Sequence, residues 1–195
     1  MSDKKIIITI GREFGSGGHE IGEKLASRLG IGFYDKNLIE IAADRSGLDA
    51  SVVGGSDEKA PGIFVSPYAP TISDKLFFAQ SELIRHLADT QSFVIVGRCA
   101  NALLRGYAET LDIFVFAPLE TRIKRIMDRY YIDSPEKARR EINRVDKVRK
   151  GYYQYYTEYR WGGHDGHDLI LDSSIFGIDG TVDLLEQIAR KRFGI

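Results

Sequence analysis

A run of β-branched residues, Ile6 to Ile10, is followed at once by a glycine-dense stretch holding Gly11, Gly15, Gly17 and Gly18. Ile21, Leu25 and Leu29 then recur at helical spacing before Gly30. The apolar run reads as a buried strand, the spaced residues as a helix over 18–29, and Gly30 as its stop. A strand, a glycine turn and a helix in that order make a cradle for an anion. Glycines let backbone N–H groups converge, and the helix start adds about half a positive charge. Four glycines so close to a strand end exceed what a plain turn needs, so the loop points to phosphate or nucleotide binding.

The loop departs from two common patterns. A G-x-x-x-x-G-K-[ST] loop carries a lysine and then a hydroxyl. Here Gly18 holds the lysine position, followed by His19 and Glu20. A dinucleotide G-x-G-x-x-G reading needs a third glycine at position 20, which is Glu20, so an oxidoreductase is disfavoured. Arg12 is the nearest side chain able to supply the missing positive charge; its plain alternative is a surface pair with Glu13.

The remaining chain alternates in the same way. Extended segments are expected at 5–11, 33–35, 93–97, 112–116 and 169–172, and helices at 36–47, 73–89, 119–130, 135–157 and 179–192. Apolar strands interleaved with helices imply an α/β fold with a parallel sheet covered on both faces, and ligands then bind at the carboxyl ends of the strands. Residues 49–71 hold three prolines and three glycines and read as a long loop. The length, 195 residues, suits one domain. A net charge of −1 gives no basic field for nucleic acid. The N-terminal apolar run is too short for a signal core or a membrane span. The single cysteine, Cys99, excludes an internal disulfide and suits a cytoplasmic protein. It reads as a small buried residue and not as a nucleophile.

Several further residues reach the expected ligand rim. Asp35 ends the second extended piece, where a carboxylate can bind a substrate or cap the next helix. Arg98 follows a buried strand and Gly97, with a planar fork suited to phosphate. Arg122, Arg125, Arg129, Arg139, Arg140, Arg144 and Arg149 make two arginine-bearing helices joined by a turn at 130–135. Such helices are either solvated faces balanced by Glu136, Glu141 and Asp146, or a clamp on a transferring phosphoryl group. Arg144 and Arg149 flank Asp146 and can share a face. Tyr152, Tyr153, Tyr155, Tyr156, Tyr159 and Trp161 read chiefly as packing of a helix end, with stacking on bases or a homodimer interface as the other uses. His164, Asp165, His167 and Asp168 are metal-ligand types, but their spacing fits no zinc pattern and a solvated loop is expected.

Taken together, Gly11-Arg-Glu-Phe-Gly-Ser-Gly-Gly18, Phe33-Tyr-Asp35, Val94-Ile-Val-Gly-Arg-Cys-Ala100, Asp112-Ile-Phe-Val-Phe-Ala-Pro118, Arg144-x-Asp146-x-x-Arg149 and Leu171-Asp-Ser-Ser174 resemble the cytidylate kinase-like branch of the P-loop nucleoside monophosphate kinases. The resemblance implies a three-layer P-loop fold in a single domain, 1–195. It would carry a mobile acceptor-side insertion at about 49–72 and a short helical lid at about 131–138. It implies ATP and Mg²⁺ as donor and cofactor, and CMP or dCMP as acceptor. Donor phosphates would lie on Gly15, Ser16, Gly17, Gly18 and His19, with Arg122 and Arg125. Asp35 and Arg98 would meet the acceptor, and Arg12, Arg144, Asp146 and Arg149 would serve transfer. The chain departs from true cytidylate kinases at Gly18, where they carry lysine, and at Val96 and Cys99, where they carry aspartates. A nucleotide-binding module without turnover, and a kinase for another small acceptor, are the alternatives.

Overall fold

The computed structural model describes residues 5–35 and 72–195. Its elements are β1 (Ile7–Arg12), α1 (Gly18–Leu29), β2 (Gly32–Tyr34), α2 (Ile72–Thr90), β3 (Phe93–Val96), α3 (Ala100–Leu104), β4 (Leu111–Phe116), α4 (Leu119–Tyr130), α5 (Pro135–Tyr156), β5 (Leu169–Asp172) and α6 (Ser173–Phe193). The expected helix at 36–47, the loop at 49–71 and the insertion lie outside the described residues, apart from Ile72.

The five strands form one parallel sheet in the order β2-β3-β1-β4-β5. β1 is central: Ile10 pairs with Val96 on one side and Ile113 on the other. Side chains alternate between the faces of a strand. Ile8, Ile10, Val94, Val96, Ile113 and Val115 therefore meet Ile21 and Leu25 of α1 and Val182, Leu185 and Ala189 of α6. Ile7, Phe93 and Ile95 meet Leu76, Leu83, Ile84 and Leu87 of α2 and Leu104 of α3. Helices on both faces explain why the strands are apolar throughout rather than alternating. Among the described residues, no helix is long and apolar enough to cross a membrane.

Two details differ from the sequence expectation. The five-residue α3 was not foreseen, because the chain enters it through left-handed Arg98 (φ 59) and Cys99 (φ 56), with no side-chain cap. And α6 begins at Ser173, not 179: Asp172 caps a first turn by accepting from the Ser174 N–H, and the helix then breaks at Gly177, φ 67. The expected two-helix arrangement at 119–157 is present. Tyr131 closes α4 in the left-handed region. Ser134 then caps α5, accepting from the Lys137 N–H, with Pro135 as its first residue. The two helices share a small core of Ile123, Ile126, Ala138 and Ile142.

Candidate functional site

The glycine loop leaves the end of β1 and turns back into α1. Gly15 and Gly17 sit at φ 82 and 84, a region side chains rarely adopt. The turn is tight: a Cβ on Gly15 would stand 3.0 Å from Ile126 and 3.1 Å from Arg122. Ser16 is buried and donates its hydroxyl to the Glu13 carbonyl. The Ile21 N–H donates to the Gly17 carbonyl. The amides of Gly18, His19 and Glu20 precede that ladder and lead the helix as donors.

Arg12 fills the space beside this loop. A Cβ on Gly18 would stand 2.6 Å from Arg12 Cβ, and a Cβ on Gly97 only 2.1 Å from Arg12 Nη1. The guanidinium thus reaches Gly97 at the end of β3 through Nη1, and its Nη2 faces Asp35 at 3.7 Å. It is not paired with Glu13. Asp35 also accepts from His19 Nε2 at 2.9 Å. Burial pushes the Asp35 carboxyl up, but His19 and the charge of Arg12 outweigh it and hold the carboxyl below its usual range. Arg98 stands beside this group; burial brings its guanidinium down to about 10, so it remains a cation at neutral pH.

Beneath the loop lies an ionic network. Arg122, 9 % exposed, reaches Glu13 at 3.3 Å and Asp146 at 2.6 Å. Asp146 accepts in addition from the Phe14 N–H at 2.7 Å. Burial raises the Glu13 carboxyl, and the positive charge of Arg122 works against that rise. Arg122 and Asp146 therefore tie α4, α5 and the loop together. Arg149 approaches from above, donating to the Arg12 carbonyl at 3.4 Å and lying over the Phe14 ring at 5.4 Å. Arg125 pairs with Glu20 at 2.9 Å, and Arg144 with Glu141 at 2.7 Å.

One cavity of about 410 Å³ joins these parts. Its upper wall holds the glycine loop, Asp35, Arg98, Arg125, Arg144 and Arg149. Of the sequence candidates, Gly15, Gly17, Gly18, His19 and Arg12 line it too, whereas Ser16, Arg122 and Asp146 stand behind the wall. Its deep end holds Thr9, Asn101, Tyr153, Trp161 and His167. None of them is among the expected catalytic or phosphate-binding residues, although Tyr153 and Trp161 belong to the aromatic cluster for which base stacking is the second use. Asn101 carries no sequence signal, and His167 was expected in a solvated loop but is buried, its ring 5.2 Å from that of Phe114. Cys99 is buried as expected, its thiol pushed by burial up to about 12. Tyr152, Tyr153, Tyr156 and Tyr159 pack within the chain, Tyr156 stacking on Phe77 at 3.9 Å, whereas Tyr155 is exposed.

With this geometry in hand, the relatives are informative. A cytidylate kinase from Methanopyrus kandleri is 27 % identical over 93 % of this chain and 91 % of its own length. The crystal structure of an uncharacterized protein from Eubacterium ventriosum is 30 % identical and superposes with a TM-score of 0.76, over 95 % of this chain and 98 % of that one. Shikimate kinase from Bacteroides thetaiotaomicron shares the fold, with a TM-score of 0.57 over 94 % of this chain and 97 % of its own, at 12 % identity. The sequence pattern of one family matches residues 7–175, from the first residue of β1 into the first turn of α6. That span takes in the whole sheet and both ends of the cavity, and the chain belongs to the cytidylate kinase-like family.

Proposed function

We propose that the protein is an ATP-dependent phosphotransferase that moves the γ-phosphoryl group to a nucleoside monophosphate, CMP or dCMP. The observation that carries this reading is the shared cavity: the glycine loop and the leading amides of α1 open onto the same space as Asp35, Arg98 and the arginines of α4 and α5. Donor phosphates would rest on the amides of Gly15 to His19, with Arg125 at their side. Arg12 and Arg98 would hold the acceptor phosphate, with Asp35 fixing the direction of Arg12. An acceptor oxygen bonds to the γ-phosphorus as the bond to the β,γ-bridging oxygen breaks, leaving ADP. A phosphate acceptor is already ionised, so the protein's part is positioning and charge, from Arg144 and Arg149 in addition. Arg122 and Asp146 act one step back, by holding the loop in shape. ATP and nucleoside monophosphates are cytoplasmic compounds, and the activity belongs there.

Mg²⁺ would arrive with the triphosphate. Among the described residues, no three histidine, cysteine or acidic side chains converge on one point. Glu13, Glu20 and Asp35 on the cavity wall are each engaged by arginine or histidine. That donor set fits an ion held by phosphate oxygens and water, with one protein carboxylate at most.

The test is ADP release with ATP, Mg²⁺ and CMP, dCMP, UMP or AMP. Acceptor-dependent ADP supports the reading, and its absence with all four rejects these acceptors. A second reading, nucleotide binding without turnover, is favoured by one feature: position 18 has no side chain, and Arg12 turns toward Asp35. ATP stabilisation without turnover would support it.

A further inference from the structure

Gly162-Gly-His-Asp-Gly-His-Asp168 has the composition of a solvated loop, yet it carries His167 inside, at 8 % exposure. The segment is pinned at several points. Asn101 donates its amide hydrogens to Tyr153 Oη and to the Gly166 carbonyl, each at 2.8 Å. The Asp168 N–H donates to the Asp112 carbonyl at 2.7 Å, and the Asp112 N–H to the Asp168 carboxylate at 2.8 Å. Gly162, at φ 69, passes so close to Phe114 that a Cβ would stand 2.9 Å from the ring.

This held segment presents one particular atom. His167 Nδ1 lies 2.8 Å from the Gly163 carbonyl oxygen. A carbonyl only accepts, so Nδ1 carries the proton and the neutral ring keeps its lone pair on Nε2. Burial favours that neutral form and lowers the imidazole from its usual value, with help from Arg105; the Gly163 carbonyl, Asp165 and Asp168 work the other way without outweighing it. No described residue donates to Nε2. The atom stands against the Cα of Gly11, where a Cβ would be 3.1 Å away, on the cavity wall.

The neighbours narrow the ligand. The Thr9 hydroxyl is committed to Asp112 at 2.6 Å. Asn101 has spent its donors and offers Oδ1. The wall is therefore rich in acceptors and calls for a ligand with N–H hydrogens. Aromatic rings line it: Trp161, whose ring packs edge to face against Phe114 outside the cavity, and Tyr153, whose ring lies within 23° of parallel to that of His167.

We infer that the deep end of the cavity is the subsite for the acceptor's base, an amino-bearing heteroaromatic ring whose exocyclic N–H donates to His167 Nε2. The inference rests on the phosphotransferase reading and narrows it. Cytosine presents an amine there, whereas uracil would set a carbonyl oxygen against the imidazole lone pair.

Trp161 is the only tryptophan in the chain, so its emission reports on this end of the cavity without any variant. Purified protein is titrated with CMP, UMP and inorganic phosphate. CMP is expected to change the emission saturably, UMP to bind about tenfold more weakly, the worth of one hydrogen bond, and phosphate to leave the emission unmoved. His167→Phe keeps the ring but removes the lone pair; it should abolish the preference for CMP, and His167→Gln, with an acceptor oxygen in reach, should restore it. CMP turnover with Trp161 emission unmoved, or an unchanged preference in the Phe variant, overturns the subsite. CMP binding with this signature but without ADP release keeps the subsite and removes the phosphotransferase reading. If the Phe variant does not fold, the wild-type comparison of CMP with UMP decides alone.

Discussion

The side chain of Arg12 lies across Gly18, so that a Cβ at position 18 would stand 2.6 Å from Arg12 Cβ. The absence of a loop lysine and the presence of this arginine are one arrangement: the stem of Arg12 takes the room a side chain at 18 would use. Gly18→Lys should therefore not repair the loop. It should lower stability by about 1–3 kcal/mol, as overpacking does, with no gain in ADP release. Pairing it with Arg12→Gly, which removes the Cβ that position 18 would meet, should recover part of the lost stability, whereas Arg12→Ala, which keeps that atom, should recover little. Thermal melts of the single and double variants check this.

Arg122 and Asp146 hold the underside of the loop through a bond of 2.6 Å between largely buried groups. Removing one partner leaves the other charge without compensation. Arg122→Ala and Asp146→Ala should each cost about 2–4 kcal/mol. The double variant should cost clearly less than their sum. Urea unfolding of the cycle measures the coupling, and simple additivity would show that the network does not act as a unit.

Asp112 gives a pH signature. Its carboxyl is pushed by burial up to about 6, against 3.8 ordinarily, although the Thr9 and Thr110 hydroxyls work the other way. Between those two values the folded protein keeps a proton that the unfolded chain has released. Stability contributed by this group should thus fall as pH rises from about 4 to 6 and level off above. Asp112→Asn should flatten that fall and raise stability at pH 7.5 relative to the parent, by on the order of 1–3 kcal/mol. Urea midpoints at pH 5 and 7.5 in both proteins test the sign.

Cys99, buried at the entry to α3 with its thiol raised to about 12, should resist alkylation. Iodoacetamide at pH 8 should leave the folded protein unmodified for hours and label it rapidly in urea. Mass spectrometry reads the difference, and fast labelling of the native protein would mean that the α3 entry opens readily.

The strands were legible because each is a short apolar, β-branched run bounded by turn residues, and a sheet covered on both faces demands that composition. The loop and the two arginine helices were legible for the same local reasons. What escaped the sequence depends on contacts distant along the chain. Nothing near Arg12 says that its partner is Asp35 and not Glu13. Arg122 looks like any arginine of a solvated helix until α5 brings Asp146 to it. His167 sits among glycines and aspartates that read as surface, and only the far side of the sheet, through Phe114, encloses it. The Gly177 break in α6 hid its first turn, because helical periodicity does not survive a residue at φ 67.

Helix α5 runs unbroken for 22 residues, about 33 Å at 1.5 Å per residue. Arg144 and Arg149 lie along its middle, and Tyr152 and Tyr153 at its far end. A stiff rod has a single tilt. No rotation can bring its arginines down toward the glycine loop without also shifting its tyrosines against Asn101 and His167. The two ends of the cavity are thus geared to one another, and whatever occupies the floor sets how far the top can close.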